Sequence, residues 1–263
     1  MKPRFLTTLS LAALAAAGLV CGTGSMRIAR DAGPRITRIA PGAFVYRPAG
    51  EFRRDGMVVD APLQTRFAGA ALEIMTFAVS QREYSRCVQV GHCAGSTSGA
   101  EADLPQTEVS FNDAQAYAAW LSRETGRSWR LPTDAEWVRA AAERFRDDAL
   151  GDAVSTTDPA ERWLAQYNRN VAARDGAEPD LQGRGAYDLN SLGVADMAGN
   201  VWEWTDTCLP NVQLAIDGKG ESSRTEYCGV RLLEWRHRTF VIDFVRDARV
   251  GGCAVGLPPD HLG

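Results

Sequence analysis

The sequence predicts a mixed α/β domain in which strands and capped helices are joined by loops. Three observations predict it. Ser80 with Glu83, Ser110 with Asp113, and Thr133 with Glu136 each place a hydroxyl three residues before an acid, the spacing of a capping box at a helix start. Apolar runs at Ile36 to Val45 and Leu72 to Val79 have strand length, and Pro41-Gly42 breaks the first. At 263 residues the chain suits one large domain or two small ones, and 45% hydrophobic with 24% charged residues is ordinary globular composition.

Taken in order, Lys2 and Arg4 precede an apolar run from Phe5 to Val20. It is too short and too weakly flanked for a membrane span and reads as a secretory signal, with an uncleaved N-terminal anchor as the alternative. Val20 is too large to precede a lipidated Cys21. The expected organisation is a signal or anchor at 1–25, a linker at 26–37 and one domain at 38–263. The first helix carries Tyr84, Cys87 and Val88 on one face and stops at Gly91. The second carries Phe111, Ala114, Tyr117, Ala118 and Leu121, with Gly126 as its C-terminal cap. The third carries Trp137, Ala140, Ala141 and Phe145. Asp147 to Asp158 is a connector, Arg162 to Ala173 a short helix, and Asp175 to Asn190 a loop. After Trp204 the chain is expected to be loop-rich, with late strands at Cys228 to Leu233 and Arg238 to Phe244.

The stretch Gly193-Val194-Ala195-Asp196-Met197-Ala198-Gly199-Asn200-Val201-Trp202-Glu203-Trp204-Thr205 stands apart. Alternation puts Trp202 and Trp204 on one face and Glu203 on the other. Gly199 or Asn200 can take the left-handed conformation of a tight turn. Asp196 and Glu203 bracket that turn and could converge with backbone carbonyls on a hard cation such as calcium. A buried turn with a Trp-anchored core and two hydrogen-bonded acids is the plainer alternative.

A formal charge of −4 argues against a nucleic-acid partner. No dinucleotide fingerprint is present, and Val250-Gly251-Gly252-Cys253 lacks the lysine of a phosphate loop. Six cysteines in an exported chain favour disulfides. Cys87 and Cys93 are close enough to pair. Cys208–Cys228 with Cys253 free, and Cys228–Cys253, both remain open, as does a pair with a retained Cys21. Only three histidines are present, His92, His237 and His261, widely spaced. That is a poor basis for the two-histidine, one-carboxylate set of non-heme iron.

Gly199-Asn200-Val201-Trp202-Glu203-Trp204 closely resembles the signature of the formylglycine-generating enzyme (sulfatase-modifying factor) family, which also holds ergothioneine-synthesis and pyoverdine-maturation proteins. A second matching block runs from Val109-Ser110-Phe111-Asn112-Asp113-Ala114 through Trp129-Arg130-Leu131-Pro132-Thr133-Asp134-Ala135-Glu136-Trp137. The resemblance covers roughly residues 38–263. It implies an irregular α/β fold related to C-type lectins with low regular secondary structure, and calcium at Asp196, Gly199, Val201 and Glu203. It also implies oxygen-dependent oxidation of a protein or peptide substrate by a copper-binding cysteine pair. Matching Arg246-Asp247-Ala248-Arg249 to the family's late arginine segment puts that pair near Trp235 to Arg236 and Val241, none of them cysteine. The remaining candidates for chemistry with copper or iron are Cys253, Cys228 and His237. Trp204-Thr205-Asp206-Thr207-Cys208 and Cys228-Gly229-Val230-Arg231 resemble an exported subgroup accompanying copper nitrite reductases. The implied setting is periplasmic or secreted, with a protein or peptide substrate or a periplasmic partner enzyme. An uncleaved N-terminal segment would be the one link to a membrane. The expectation is a maturation or accessory factor. The alternative is a non-catalytic, calcium-stabilised binding module.

Overall fold

The computed structural model describes residues 33–246 except 100, 102, 152–157, 175–179 and 218–219. Contacts divide the chain at residues 31 and 32, and all that follows concerns the second unit, Ala32–Gly263. Nine strands and four α-helices are formed among the described residues.

Two small antiparallel pairs frame the entry to the domain. β1 (Ile36–Ile39) pairs with β6 (Leu72–Met75), and β2 (Gly42–Tyr46) pairs with β5 (Gln64–Ala68). The break at Pro41-Gly42 therefore separates two strands with different partners. The expected strand Leu72 to Val79 ends at Met75; the Thr76 N–H still bonds the Arg35 carbonyl, but the Thr76 carbonyl accepts from Ala195 instead. β3 (Glu51–Arg54) and β4 (Met57–Val59) open a five-stranded sheet of order β4-β3-β7-β8-β9. β7 (Glu203–Leu214), β8 (Glu221–Glu234) and β9 (Arg238–Ile242) complete it. β3 runs parallel to β7, and the other pairings are antiparallel.

The long β7–β8 ribbon corrects the expectation of a loop-rich segment after Trp204. Residues 221–229 of β8 are exposed throughout, so both faces are polar and no alternation marks them as a strand. Pro210 and three register shifts further mask β7.

The helices form where their caps predict. α1 (Gln81–Gln89), α2 (Phe111–Thr125) and α3 (Asp134–Ala141) carry complete capping boxes from Ser80, Ser110 and Thr133. α1 ends at Gln89 with Val90 as its cap, short of Gly91. Gly126 closes α2 at φ 70°, a left-handed value that favours glycine. α3 ends before Phe145, its last turn tightening into a 3₁₀ helix at Ala142–Arg144. α4 spans Pro159–Arg174.

Three apolar clusters matter to the site. Under α3, Trp137 packs with Ile39, Val194 and Met197. Trp202, Trp204 and Trp235 pack with Phe111, Leu233 and Val241. Tyr84, Cys87, Tyr117 and Trp120 join α1 to α2, where Cys87 and Cys93 form a disulfide. The segment Val194–Trp204 contributes to the first two clusters, so it links the α3 layer to the main sheet.

Candidate functional site

The turn before β7 is held in a conformation that ordinary residues resist. Asp196, Ala198 and Asn200 have φ of 58°, 57° and 47°, three left-handed residues at alternate positions. Such a run persists only where the surroundings impose it. Two straps do so. The Asp196 carboxylate accepts the N–H of Gly185 at 2.6 Å and of Tyr187 at 2.9 Å. Asn200 donates to the Gln182 carbonyl at 2.8 Å and accepts the Gln182 N–H at 2.9 Å. Gly199 is required by crowding, since a Cβ there would lie 2.9 Å from the Tyr187 ring.

Glu203 follows the turn. Its Oε2 accepts the Trp137 indole N–H at 2.8 Å. Burial lifts its carboxyl, the Trp137 bond partly offsets that, and nearby Asp196 adds to it, leaving Glu203 pushed up to about 7. A cavity of about 520 Å³ opens beside it, lined by Phe77, Tyr84, Tyr117, Met197 and Trp204 among others.

The family resemblance implies a calcium ion at this turn. Asp196 is buried and Glu203 half-buried, and a cation would offset the charge that Asp196 adds to the burial lifting Glu203. Asp196 and Glu203 would supply carboxylate oxygens, and Gly199 and Val201 would supply carbonyls. Such an ion would supply charge neutralisation and hold the turn.

The second feature is the β8–β9 hairpin. Its turn carries Trp235, Arg236 and His237. Trp202 stacks obliquely on Trp235 at 5.4 Å and meets the His237 ring edge-on at 4.8 Å. His237 is buried against these indoles.

Beneath the hairpin lies a charged cluster that sequence reasoning missed. Arg238 pairs with Asp148, donates to the Arg47 carbonyl at 2.6 Å, and lies 3.8 Å from Asp134. The Tyr46 hydroxyl donates to Asp134 Oδ2 at 2.6 Å. Glu234 is fully buried, and no donor among the described residues reaches either of its oxygens or Asp134 Oδ1. Burial first, then Asp134 and Asp148, holds its carboxyl far above the usual range, against the pull of Arg238. Burial opposes ionisation of Asp148, yet Arg238 outweighs it and holds Asp148 below the usual range. Burial likewise opposes, and Asp148 with Asp134 outweighs, so the Arg238 guanidinium is held more firmly charged. The sequence signal was an acid and a base four residues apart in an apolar run, Leu232-Leu233-Glu234-Trp235 to Arg238.

The cysteine candidates separate. Cys208 and Cys228 form a disulfide across β7 and β8 with Cα atoms 4.5 Å apart. That corrects Cys228 as a catalytic thiol, since its sulfur is bonded and offers no thiolate. Cys208, Glu226 and Cys228 cluster closely enough to suggest metal ligands, but the two sulfurs are bound to each other. Cys228 and His237 lie far apart along β8 and the hairpin and are not brought together. His92 is exposed beyond α1. Cys21, Cys253 and His261 lie outside the described residues. Among the described residues the donor set thus fits neither a copper dithiolate nor a two-histidine iron site.

Comparison with known proteins agrees with this geometry. Residues 25–263 match the Sulfatase-modifying factor enzyme 1-like domain. A formylglycine-generating enzyme of Mycobacterium tuberculosis is 37% identical over 107 residues, covering 39% of this chain and 33% of that protein. The mouse (Mus musculus) protein described as inactive C-alpha-formylglycine-generating enzyme 2 is 34% identical over 105 residues, covering 39% of this chain and 32% of its own length. The matched region thus spans about a third of these curated relatives. The structure of PvdO from Pseudomonas aeruginosa superposes with a TM-score of 0.52 at 18% identity, covering 83% of this chain and 90% of that one, a likeness of fold. With the match spanning nearly the whole chain and the signature turn folded as described, this protein belongs to the formylglycine-generating enzyme (sulfatase-modifying factor) family.

Proposed function

We propose that this chain is an exported accessory or maturation factor that acts on a protein or peptide, with calcium as a structural ion at the Asp196–Glu203 turn. The observation that carries this reading is the hairpin at residues 235–241. It holds Arg236 between the buried Trp235 and His237 where the family resemblance calls for thiolates, and Cys228, farther along β8, is held in a disulfide. Without a thiolate pair at that place copper-dependent oxidation lacks its soft ligands, and recognition of a protein or peptide suits the residues better. An oxidative role would have to draw on Cys253 or His237. A periplasmic or secreted setting follows from the apolar N-terminal run behind Lys2 and Arg4 and from the two disulfides. Among the described residues no helix is long and apolar enough to cross a membrane.

A second reading, a calcium-stabilised binding module without catalysis, is favoured by the same disulfide and by the buried acids at the turn. Metal content and free-thiol count on the purified protein test both readings against a metal-dependent oxidase. Calcium with at most one free thiol supports the accessory or binding role. Stoichiometric copper with two reduced cysteines would overturn it, as would stoichiometric iron, and would direct mutagenesis to Cys253, Cys228 and His237.

A further inference from the structure

The main sheet ends in an unusual edge. β9 pairs with β8 only at residues 230–234, and the Asp243 N–H adds a bond to the Gly229 carbonyl. From Glu221 to Tyr227, β8 is paired to β7 on one side and, among the described residues, to nothing on the other. Its side chains are exposed on both faces, and Tyr227 is 59% exposed.

Which backbone groups face the open edge follows from Pro210. Pro210 stands opposite Glu226 and has no N–H, so this position cannot be a hydrogen-bonded pair of the ladder. The N–H and C=O of Glu226, and by alternation those of Arg224, therefore point outward. The register is regular from Leu209↔Tyr227 to Gln213↔Ser223, with no bulge to twist the edge away. An unpaired, regular edge is a template for another strand.

The sequence of this edge, Ser223-Arg224-Thr225-Glu226-Tyr227, is charge-complementary to itself when reversed. A two-fold axis at Thr225 sets Arg224 of one copy opposite Glu226 of the other, twice, and sets Ser223 opposite Tyr227. Arg224 and Glu226 already pair within one strand at 2.9 Å, so their charged ends lie together on one face. Bringing two such strands together builds an alternating array of four charges. The outward backbone groups of residues 224 and 226 fall into hydrogen-bonded pairs in this same register. An isologous contact of this kind uses the same edge in both copies and closes as a dimer.

We propose that the open edge of β8 joins a second copy of this chain, antiparallel and two-fold symmetric about Thr225. Non-hydrogen-bonded antiparallel neighbours sit about 4.5 Å apart at Cα, within disulfide reach. Thr225→Cys should therefore crosslink two chains on mild oxidation. Unmutated protein, oxidised in parallel, sets the background from the chain's own cysteines, and Thr65→Cys on exposed β5 sets the background for a surface thiol. Light scattering with size exclusion at tens of micromolar reads the mass directly. The expected results are a dimer for the unmutated chain, at least a tenfold weaker dimer for Arg224→Glu, and recovery in Arg224→Glu/Glu226→Arg. A monomer at every concentration overturns the proposal. A dimer that ignores both the charge reversal and Thr225→Cys places the contact elsewhere and overturns it equally. Folding of each variant is checked by its circular dichroism spectrum, so that a lost dimer is not confused with a lost fold.

Discussion

At the scale of single residues, Glu234 sets the sharpest expectation. Its carboxyl lies fully buried against Asp134, and neither Glu234 nor Asp134 Oδ1 has another donor among the described residues. One proton shared between them resolves the conflict, with Glu234 carrying it. Tyr46, Arg47, Arg238, Asp148 and His237 are the other polar groups gathered there. The folded-state pKa is raised above the unfolded value of about 4.3. Stability from this group is therefore fully present below that pH and is lost as pH rises toward the folded value. Glu234→Gln keeps the shape, removes the ionisation and can still donate to Asp134. Its unfolding midpoint in urea should equal or exceed that of the unmutated protein at pH 8, with the gap closing at pH 4. A variant that unfolds more readily at pH 8 than the parent would show that Glu234 is ionised in the folded state. This cluster was illegible in the sequence because its members come from residues 46, 134, 148, 234 and 238, and only the fold gathers them.

At the scale of elements, legibility follows locality. The three capping boxes lie within four residues each and form as their spacing dictates, and Ser110 shows what one contributes. Its hydroxyl accepts the Asp113 N–H at 3.2 Å, while Asp113 accepts the Ser110 N–H at 2.9 Å and an Arg246 guanidinium at 2.7 Å. Ser110→Ala should cost about 1 kcal/mol, lowering the melting temperature by roughly 2–4 °C in a domain of this size. β7 and β8 were not legible, because their pairing is distant in sequence and the exposed half of β8 has no apolar face. The Cys208–Cys228 disulfide closes that ribbon near its middle. Removing it with Cys208→Ala/Cys228→Ala should cost about 2–4 kcal/mol, through freedom returned to the unfolded chain. The check is a urea midpoint measured against the intact protein. An unchanged midpoint would mean that strand pairing alone fixes the ribbon.

At the scale of the whole molecule, the turn at Asp196–Glu203 joins the α3 layer to the main sheet, so its charge state bears on the entire domain. The signature made this turn legible, since Trp202 and Trp204 had to be buried and Glu203 had to face away from them. What the sequence could not reveal is that Glu203 would lie half-buried with its carboxylate against Trp137. Lifting a carboxyl from 4.5 to about 7 corresponds to about 3 kcal/mol of stability, at about 1.4 kcal/mol for each pH step. That stability is present below pH 4.5 and is lost as pH rises to 7, where the folded protein must hold a buried charge. A calcium ion at the turn reverses the loss by neutralising the ionised carboxylate, and it competes with the proton at lower pH. Calcium at a hundred times its dissociation constant adds about 2.7 kcal/mol. The melting temperature at pH 8 should therefore rise by roughly 5–10 °C in calcium relative to chelator, and by much less at pH 5. Glu203→Gln should abolish the calcium response while tolerating chelator better than the parent, because the neutral amide can still accept from Trp137. Equal melting in calcium and chelator at pH 8 would mean that the turn is held by its hydrogen bonds to Gly185, Tyr187 and Gln182 alone.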